Sequence, residues 1–484
     1  MQDLQHKNKY NYLFLILGIA ISIYVILRAY YIDITDDEAW SYFNVKHFWY
    51  VETLCSGNTH WFNFAAIKIA LTLGLEQAWH LRWLSVLSGI TFLGFIYYWI
   101  KNESHLYLKL FAFAFIFLNP FLLEYLSLAR GYATGLCFLV ASIYFLNKSI
   151  VNLNQRYWAF VALLLAGLSA IANFGFFYYF VGFCLFYLYH FYLKNGWLFL
   201  KDKTFYIDAF YVLGIAALVL RALLFIKVCS NDLSEFGGEN FITSIFGSYI
   251  DTLLYKNISL HPTFKLALSY FIFILVAIAI VYGILKIKKH KNQLFHFTSI
   301  ILLSMFLLLV INKWCLHVLY PIERTSLLFY PLLLLVLVNF LRTISEGNSI
   351  KKISVSIASM LLIINFSLNI KLVSGYDHSY NMNTKECFDY LKKIDTKKVG
   401  LPIELYFVYL KYYNVIGKPF DAESLIRYHY NKRWIKENKL EDFDYIMLAA
   451  PYDISYYKKS KLAFKGIHYF TKRQIVLLKV IKPS

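Results

Sequence analysis

The chain has 484 residues, of which 59% are hydrophobic and only 16% are charged, and its formal net charge is +19. Soluble domains are typically about 45–50% apolar and about 25% charged, so this composition excludes an ordinary soluble protein. The basic residues are dispersed over many short loops and the C-terminal region instead of forming one patch, which argues against a nucleic-acid-binding protein.

Eleven long apolar segments predict an α-helical polytopic membrane protein. A helix rises about 1.5 Å per residue, so roughly twenty apolar residues cross a hydrocarbon core about 30 Å thick. Continuous apolar runs of this length, in place of short alternating segments, also exclude an outer-membrane barrel. The predicted spans are 11–31, 80–100, 106–123, 131–147, 157–172, 174–193, 206–227, 266–286, 294–312, 326–341 and 352–372.

The apolar segment 61–75 is short for a span, since its length as a helix is only about 22 Å. Loop charge decides its placement. If the N-terminus is cytoplasmic and 61–75 does not cross, the lysine-rich loops, including the cluster at 286–291, face the cytoplasm, as the positive-inside rule requires. We therefore predict an outer loop at 32–79, in which 61–75 is a helix that lies on the membrane surface.

The residues after the last span have the pattern of a small α/β domain. Its strands are predicted at 398–403, 444–450 and 473–480, and its helices at 384–394 and 403–413. Eleven spans from a cytoplasmic N-terminus place this domain outside the cytoplasm. The predicted organisation is therefore a transmembrane domain at 1–374 and a soluble, extracytoplasmic domain at 375–484.

Three consecutive carboxylates, Asp36, Asp37 and Glu38, follow the first span in the predicted outer loop. A carboxylate in such a loop acts as a general base toward a hydroxyl, or as a ligand of a divalent cation. The alternative is a solvated acidic loop that orients the first helix. We expect an extended stretch here, in which the side chains of Asp36 and Asp37 point to opposite sides, so that only one of them faces a given cavity.

Cationic side chains occur on other loops at the same predicted depth. Arg130, with Glu124 near it, lies between the third and fourth spans, and Arg324 precedes the tenth. Arg130 either snorkels to lipid phosphate or is a fixed charge in an outer-facing cavity. The alternative for Arg324 is an ion pair with interface anchors around it. Arg221 lies inside the seventh apolar run, where an ionisable residue is by default a functional candidate. His60, at the start of the surface helix, has the alternative role of an interface anchor.

The order of these residues resembles that of the polytopic glycosyltransferases of the C superfamily, in particular the bacterial relatives of protein O-mannosyltransferases and lipid A aminoarabinose transferases. That family has an Asp-Glu motif in its first outer loop, which Asp37-Glu38 matches. The other similar elements are Asn58-Thr59-His60-Trp61-Phe62-Asn63, Gly74 with Arg82, Ala129-Arg130-Gly131-Tyr132, and Pro321-Ile322-Glu323-Arg324-Thr325. The second and fifth positions of the first of these elements depart from the family pattern, as does the missing proline after Arg82.

The resemblance implies a GT-C fold and a transferase that moves a hexosyl or pentosyl unit, with inversion, from a polyprenyl-phosphate donor to a glycolipid, polysaccharide or protein acceptor. The reaction would take place at the outer face of the cell (inner) membrane. The resemblance assigns catalysis to Asp37 with Glu38, and donor-phosphate binding to Arg130 and Arg324, to which we add His60. The supporting residues are Asp36, Asn58, Glu124, Tyr132 and Arg221. A divalent cation is compatible with the acidic loop, and the requirement for a metal stays open.

Two other functions are compatible with many helices and charged residues in a membrane. A secondary transporter or lipid flippase often has internal repeats and helices broken at the midplane, whereas this sequence has no repeat and its charged candidates lie at one predicted face. A non-catalytic scaffold for envelope assembly would use the C-terminal domain as its working part. Neither alternative accounts for Asp37 and Arg130 in the order that the glycosyltransferases have.

Overall fold

The computed structural model describes residues 2–47, 60–151, 156–196, 203–229, 237–255, 260–285, 293–346, 348–373, 375–376, 384–393, 398–417, 422–425, 443–449, 463–470 and 475–481. The chain forms two compact units. The first, called the membrane unit here, consists of Met1–Ala29, Val51–Ala66 and Arg82–Ile370. The second, called the C-terminal unit, consists of Tyr30–Tyr50, Ile67–Leu81 and Lys371–Ser484, so it includes two segments from the predicted outer loop.

Helices dominate the fold. In chain order they are α1 (Gln2–Tyr31), α2 (Asp36–His47), α3 (Trp61–Thr72), α4 (Ala78–Leu81), α5 (Trp83–Asn102), α6 (Leu106–Phe117), α7 (Pro120–Ser127), α8 (Gly131–Val151), α9 (Arg156–Ala172), α10 (Phe177–Asn195), α11 (Lys203–Cys229), α12 (Ser248–Leu254), α13 (Pro262–Leu285), α14 (Gln293–Leu316), α15 (Phe329–Ser345), α16 (Ser349–Asn369), α17 (Thr384–Lys393) and α18 (Ile403–Val408).

Within the described ranges, eight helices are long and apolar enough to span a membrane, and the bent pair α6–α7 is a ninth if it forms one span. Two further predicted spans correspond to α9 and α15, which have 17 residues each, at the lower end of the range for a span. The prediction of a helical, multi-pass membrane protein is therefore confirmed. The exact number of eleven spans, and the position of α3 on the membrane surface, stay predictions.

The bend of 49° between α6 and α7 has a local cause in the sequence. Pro120 has no N–H with which to continue α6, and its ring fits the first turn of a new helix. Asn119 caps that helix, since its side-chain oxygen accepts a hydrogen bond from Leu122 N at 3.0 Å. A second break follows at 128–130, before α8 begins at Gly131. At these two breaks, short segments of backbone inside the membrane unit are not part of a helix.

Helix α8 is the centre of packing in this part of the membrane unit, where it lies against α5 and α9. Small side chains allow the close approach, and Ser88 of α5 forms a hydrogen bond with Thr134 of α8 at 3.3 Å. Apolar side chains such as Leu213, Phe271 and Leu361 remain exposed by more than 60%, as expected for surfaces that face lipid.

The C-terminal unit contains a five-stranded mixed sheet. Its strands are β1 (Val399–Pro402), β2 (Ala422–Leu425), β3 (Tyr445–Ala449), β4 (Ala463–Phe470) and β5 (Ile475–Ile481), in the spatial order β2-β1-β3-β5-β4. Strand β1 pairs in parallel with β2 and β3, while β5 pairs antiparallel with β3 and β4. The three predicted strands correspond to β1, β3 and β5, and the two predicted helices to α17 and to α18 with the turn after it. The domain boundary at 374/375 stays a prediction.

Candidate active site

The acidic segment after the first span is the start of a helix, so the expectation of an extended stretch is wrong. Asp36, Asp37 and Glu38 form the first turn of α2. Thr35 and Glu38 hold that turn in a capping box: Thr35 N donates to Glu38 Oε2 at 3.0 Å, and Glu38 N donates to Thr35 Oγ1 at 3.3 Å. The helix dipole favours negative charge at this end. The side chains of Asp36 and Asp37 therefore diverge by about 100° around the helix instead of pointing to opposite sides.

The three carboxylates differ in their surroundings. Glu38 is 1% exposed, and its carboxylate also accepts a hydrogen bond from Thr35 Oγ1 at 3.2 Å. Asp37 is 7% exposed, whereas Asp36 is half-buried. Glu38 thus has a defined part in holding the helix start. Asp37 is held at a fixed place in the first turn by the same capping contacts.

The other end of α2 is tied to Glu76 of the same unit. The Tyr42 hydroxyl donates to Glu76 Oε2 at 3.1 Å, and Lys46 Nζ forms an ion pair with Glu76 Oε1 at 3.0 Å. Burial raises the pKa of the Tyr42 phenol, and the neighbouring Glu76 carboxylate raises it further, so Tyr42 stays a neutral donor. These contacts fix the orientation of α2, and with it the direction of its acidic first turn.

In the membrane unit, the break before α8 brings together three of the predicted site residues: Arg130, His60 and Tyr132. Arg130 is 1% exposed and His60 2% exposed. The ring centroids of His60 and Tyr132 lie 5.6 Å apart. A Cβ on Gly131 would lie 2.1 Å from the carbonyl oxygen of Ala172 and 2.9 Å from His60 Nδ1, so only glycine permits this close approach.

Asn63, from the first turn of α3, fixes the backbone of this break. Its Nδ2 donates to the carbonyl of Ala129 at 2.5 Å, and the Ser85 hydroxyl donates to the carbonyl of Arg130 at 3.2 Å. The motif residues His60 and Asn63 and the Ala129–Tyr132 element, which are far apart in the sequence, therefore form one cluster. This cluster places the buried side chain of Arg130 at a helix break.

Glu124 belongs to a different cluster, in which its charge is neutralised. Arg28 Nη2 lies 3.3 Å from Glu124 Oε2, and both residues are at most 1% exposed. The Tyr255 hydroxyl donates to the same carboxylate oxygen at 2.6 Å, and Arg28 donates to Tyr255 at 3.3 Å. A buried ion pair with these additional hydrogen bonds joins α1, α7 and the end of α12. In this geometry Glu124 holds helices together, and its supporting role in the site stays a prediction.

Arg324 lies on a strained turn before α15. Its neighbour Glu323 has a positive φ of 45°, which is uncommon for a residue with a side chain. Ser248 accepts a hydrogen bond from Glu323 N, and Tyr249 donates to the carbonyl of Ser326 at 3.0 Å. The turn is therefore held by α12, and Arg324, which is half-buried, has a fixed backbone position. Strain of this kind is often found at functional sites.

Solved structures of similar architecture match nearly the full chain. ArnT from Cupriavidus metallidurans in the apo state has 10% sequence identity and a TM-score of 0.50, with 96% of this chain and 97% of that chain covered. The same transferase bound to undecaprenyl phosphate has 9% identity and a TM-score of 0.53, with 97% and 98% covered. The chain has the GT-C fold. No protein-family model matches the sequence, and no curated protein matches it.

Two further residues predicted from the sequence are Arg221 and Asn58. Arg221 is exposed on α11. Asn58 lies outside the described residues. In the part of the chain that the structure describes, no group of three or more His, Cys, Asp or Glu side chains is placed to hold a metal ion.

Sequence reasoning missed four residues that shape the clusters described above. The capping residue Thr35 had a signal, since Thr35-Asp36-Asp37-Glu38 has the spacing of a capping box. Arg28 also had a sequence signal, because it is an arginine within the first apolar run. Tyr255, the partner of Arg28, has no such signal. Neither has Lys411, which comes from the last third of the chain and lies within electrostatic reach of Asp36 and Asp37.

Proposed function

We propose that this GT-C-fold protein is a membrane glycosyltransferase that uses a polyprenyl-phosphate-linked sugar as its donor. The observation that carries the proposal is the full-length similarity to ArnT, which has been solved with undecaprenyl phosphate bound. The residues that match the glycosyltransferase motifs support it. Asp37 lies in the capped first turn of α2, and Arg130 lies at the helix break that His60 and Asn63 brace.

The proposed reaction is an inverting displacement at the anomeric carbon of the donor. The oxygen of an acceptor hydroxyl forms the new bond to this carbon on the face opposite the phosphate. The bond between carbon and phosphate oxygen breaks, and its electron pair leaves with the polyprenyl phosphate. The hydroxyl proton passes to the carboxylate of Asp37, which acts as a general base. The acceptor is a glycolipid, polysaccharide or protein of the envelope.

The departing phosphate requires positive charge, because negative charge accumulates on it as the bond breaks. We assign this role to Arg130 and Arg324, with His60 next to Arg130. Both arginines have fixed backbones, one at the break before α8 and one on the strained turn before α15. Glu38 keeps its place in the proposal as the residue that holds the start of α2, so that Asp37 is presented in one orientation.

We further propose that the acidic helix and the C-terminal domain lie at the extracytoplasmic face of the inner membrane. The charge pattern of the loops supports this topology. Cysteine labelling from outside the cell would check it. Accessible positions in the C-terminal domain and protected positions near Lys288 agree with the proposal, whereas the reverse pattern contradicts it.

Sugar transfer by the purified protein tests the function directly. Wild type is supplied with a series of labelled polyprenyl-phosphate sugars and envelope extracts as acceptors, and Asp37→Asn is compared with Asp36→Asn. Loss of a general base typically lowers the rate by about 10²–10⁴-fold, so we expect this loss for Asp37→Asn. Asp36→Asn is expected to be milder, because Asp37 is the residue that matches the family motif. Equal rates for wild type and Asp37→Asn, with chemistry limiting turnover, would contradict the mechanism.

A further inference from the structure

The C-terminal unit packs a helical segment directly against the acidic helix. Helix α18 continues into a π-helical turn at Tyr409–Tyr413, and both elements lie against α2. The rings of Tyr412 and Tyr42 meet edge to face with centroids 5.1 Å apart. The Tyr412 hydroxyl donates to the backbone carbonyl of Glu76 at 2.8 Å. The side chain of the same Glu76 accepts a hydrogen bond from Tyr42. Single π-helical turns occur frequently at functional sites.

Lys411 lies in the middle of this π-helical turn and is half-buried. Its Nζ is 4.7 Å from the centroid of the Phe407 ring, so the aromatic face restricts where the ammonium group lies. Burial lowers the pKa of Lys411, while Asp36 and Asp37 both act in the opposite direction and favour the charged form. A lysine in such a position is costly unless carboxylates compensate for the lost hydration. The first turn of α2 supplies them.

We propose that Lys411 is a positioning residue for Asp37, and that the C-terminal domain thereby completes the catalytic helix. This inference rests on the proposed transferase function and deepens it. The three adjacent carboxylates of this turn repel one another. The ammonium of Lys411, within electrostatic range of Asp36 and Asp37, offsets that repulsion. It keeps Asp37 ionised and ready to accept the proton of the acceptor hydroxyl.

Several other described charged groups near α2 have contacts of their own. Glu38 is bound by Thr35 at the helix start. Lys46 and Glu76 form their own ion pair at the far end of α2. Asp33, before the helix, accepts a hydrogen bond from Lys385 N at 3.3 Å. Lys411 is the basic residue of the helical segment 403–413, and its charged form is favoured by both Asp36 and Asp37.

The first experiment measures kcat/KM for sugar transfer against pH in Lys411→Met, Lys411→Arg and wild type. An opposite charge favours ionisation of a carboxylate, so its removal should shift the acidic limb of the profile upward by about one pH unit. Lys411→Arg keeps the positive charge and should keep the wild-type limb. Lys393→Met, an exposed lysine on α17, is the matched control and should leave the profile unchanged. An unchanged acidic limb in Lys411→Met, or an equal loss in Lys411→Met and Lys411→Arg without a shift, overturns the inference.

The second experiment does not depend on activity. Thermal unfolding midpoints are measured for Asp37→Asn, Lys411→Met and the double variant. If the two side chains interact, the midpoint shift of the double variant differs from the sum of the single shifts, whereas additive shifts contradict the inference. Wild type that transfers no sugar from any lipid-linked donor would refute the proposed function, and the unfolding cycle would still decide whether Lys411 and Asp37 are coupled.

Discussion

Two groups of buried carboxylates have opposite electrostatic surroundings. In the membrane unit, Glu124 is surrounded by groups that neutralise it: Arg28 forms an ion pair with it, and Tyr255 donates a hydrogen bond to it. In the C-terminal unit, three like charges are adjacent in the first turn of α2, and Asp37 is almost as buried as Glu124. The first group is a balanced network of one carboxylate and its donors, and the second places three carboxylates in one helical turn.

The difference separates structural charge from functional charge. The charged groups of a balanced network are poorly suited to catalysis, because the carboxylate and the cation are already bound to each other. Concentrated like charge is unfavourable for folding, and groups held in such environments are typical of active sites. The capping box, the helix dipole and Lys411 reduce the energetic cost of placing three carboxylates in one turn. From this comparison we propose that Glu124 holds the fold and that Asp37 performs the chemistry.

The largest expected effect on stability comes from opening the balanced network. Arg28→Met leaves the Glu124 carboxylate buried without its cation, which typically costs about 3–5 kcal/mol. We expect a large drop in the unfolding midpoint and in the yield of folded protein in detergent. The double variant Arg28→Met with Glu124→Gln removes the stranded charge and keeps an acceptor for Tyr255, so it should recover most of that loss. A double variant as unstable as the single one would show that the ion pair is not the reason.

Much of the fold, and part of the site, follows from the sequence. Apolar runs near twenty residues predicted the spans because the thickness of the bilayer sets their length. The start of α2 was predicted as extended because the carboxylates were considered without the threonine before them. The Arg28–Glu124–Tyr255 network joins residues separated by up to 227 positions, and only tertiary folding determines which residues meet. Lys411 is likewise brought near Asp36 and Asp37 only by tertiary folding.

The next effect concerns the donor phosphate. Arg130→Gln and Arg324→Gln each remove a proposed cation, and a hydrogen bond to a charged group is worth about 1.5–3 kcal/mol. We expect the KM for the lipid-linked donor to rise by roughly 10- to 100-fold in each variant. Lys351→Gln, at an exposed position of α16, is the matched control and should change KM little. A KM for Lys351→Gln as high as that of Arg130→Gln would contradict the assignment.

The smallest effect concerns the capping box of α2. Thr35→Ala removes the side chain that caps the helix and binds Glu38, and loss of such a cap typically costs about 0.5–2 kcal/mol. The unfolding midpoint should fall modestly, and the transfer rate should fall with it because Asp37 is less firmly oriented. Thr35→Ser keeps the hydroxyl and should behave like wild type. If Thr35→Ser and Thr35→Ala lower the unfolding midpoint and the transfer rate equally, the hydroxyl is not what holds the start of the helix.

The transfer rate per folded molecule tests the central comparison most directly. It is measured for wild type, for Asp37→Asn, and for the double variant of Arg28→Met with Glu124→Gln, with the folded fraction determined in the same preparations. The account predicts that Asp37→Asn folds normally and loses about 10²–10⁴-fold in rate, as expected for loss of a general base. It predicts that the double variant keeps a near wild-type rate per folded molecule. A normal rate in Asp37→Asn, or a comparable loss of rate in the double variant, would contradict the division between chemistry and structure.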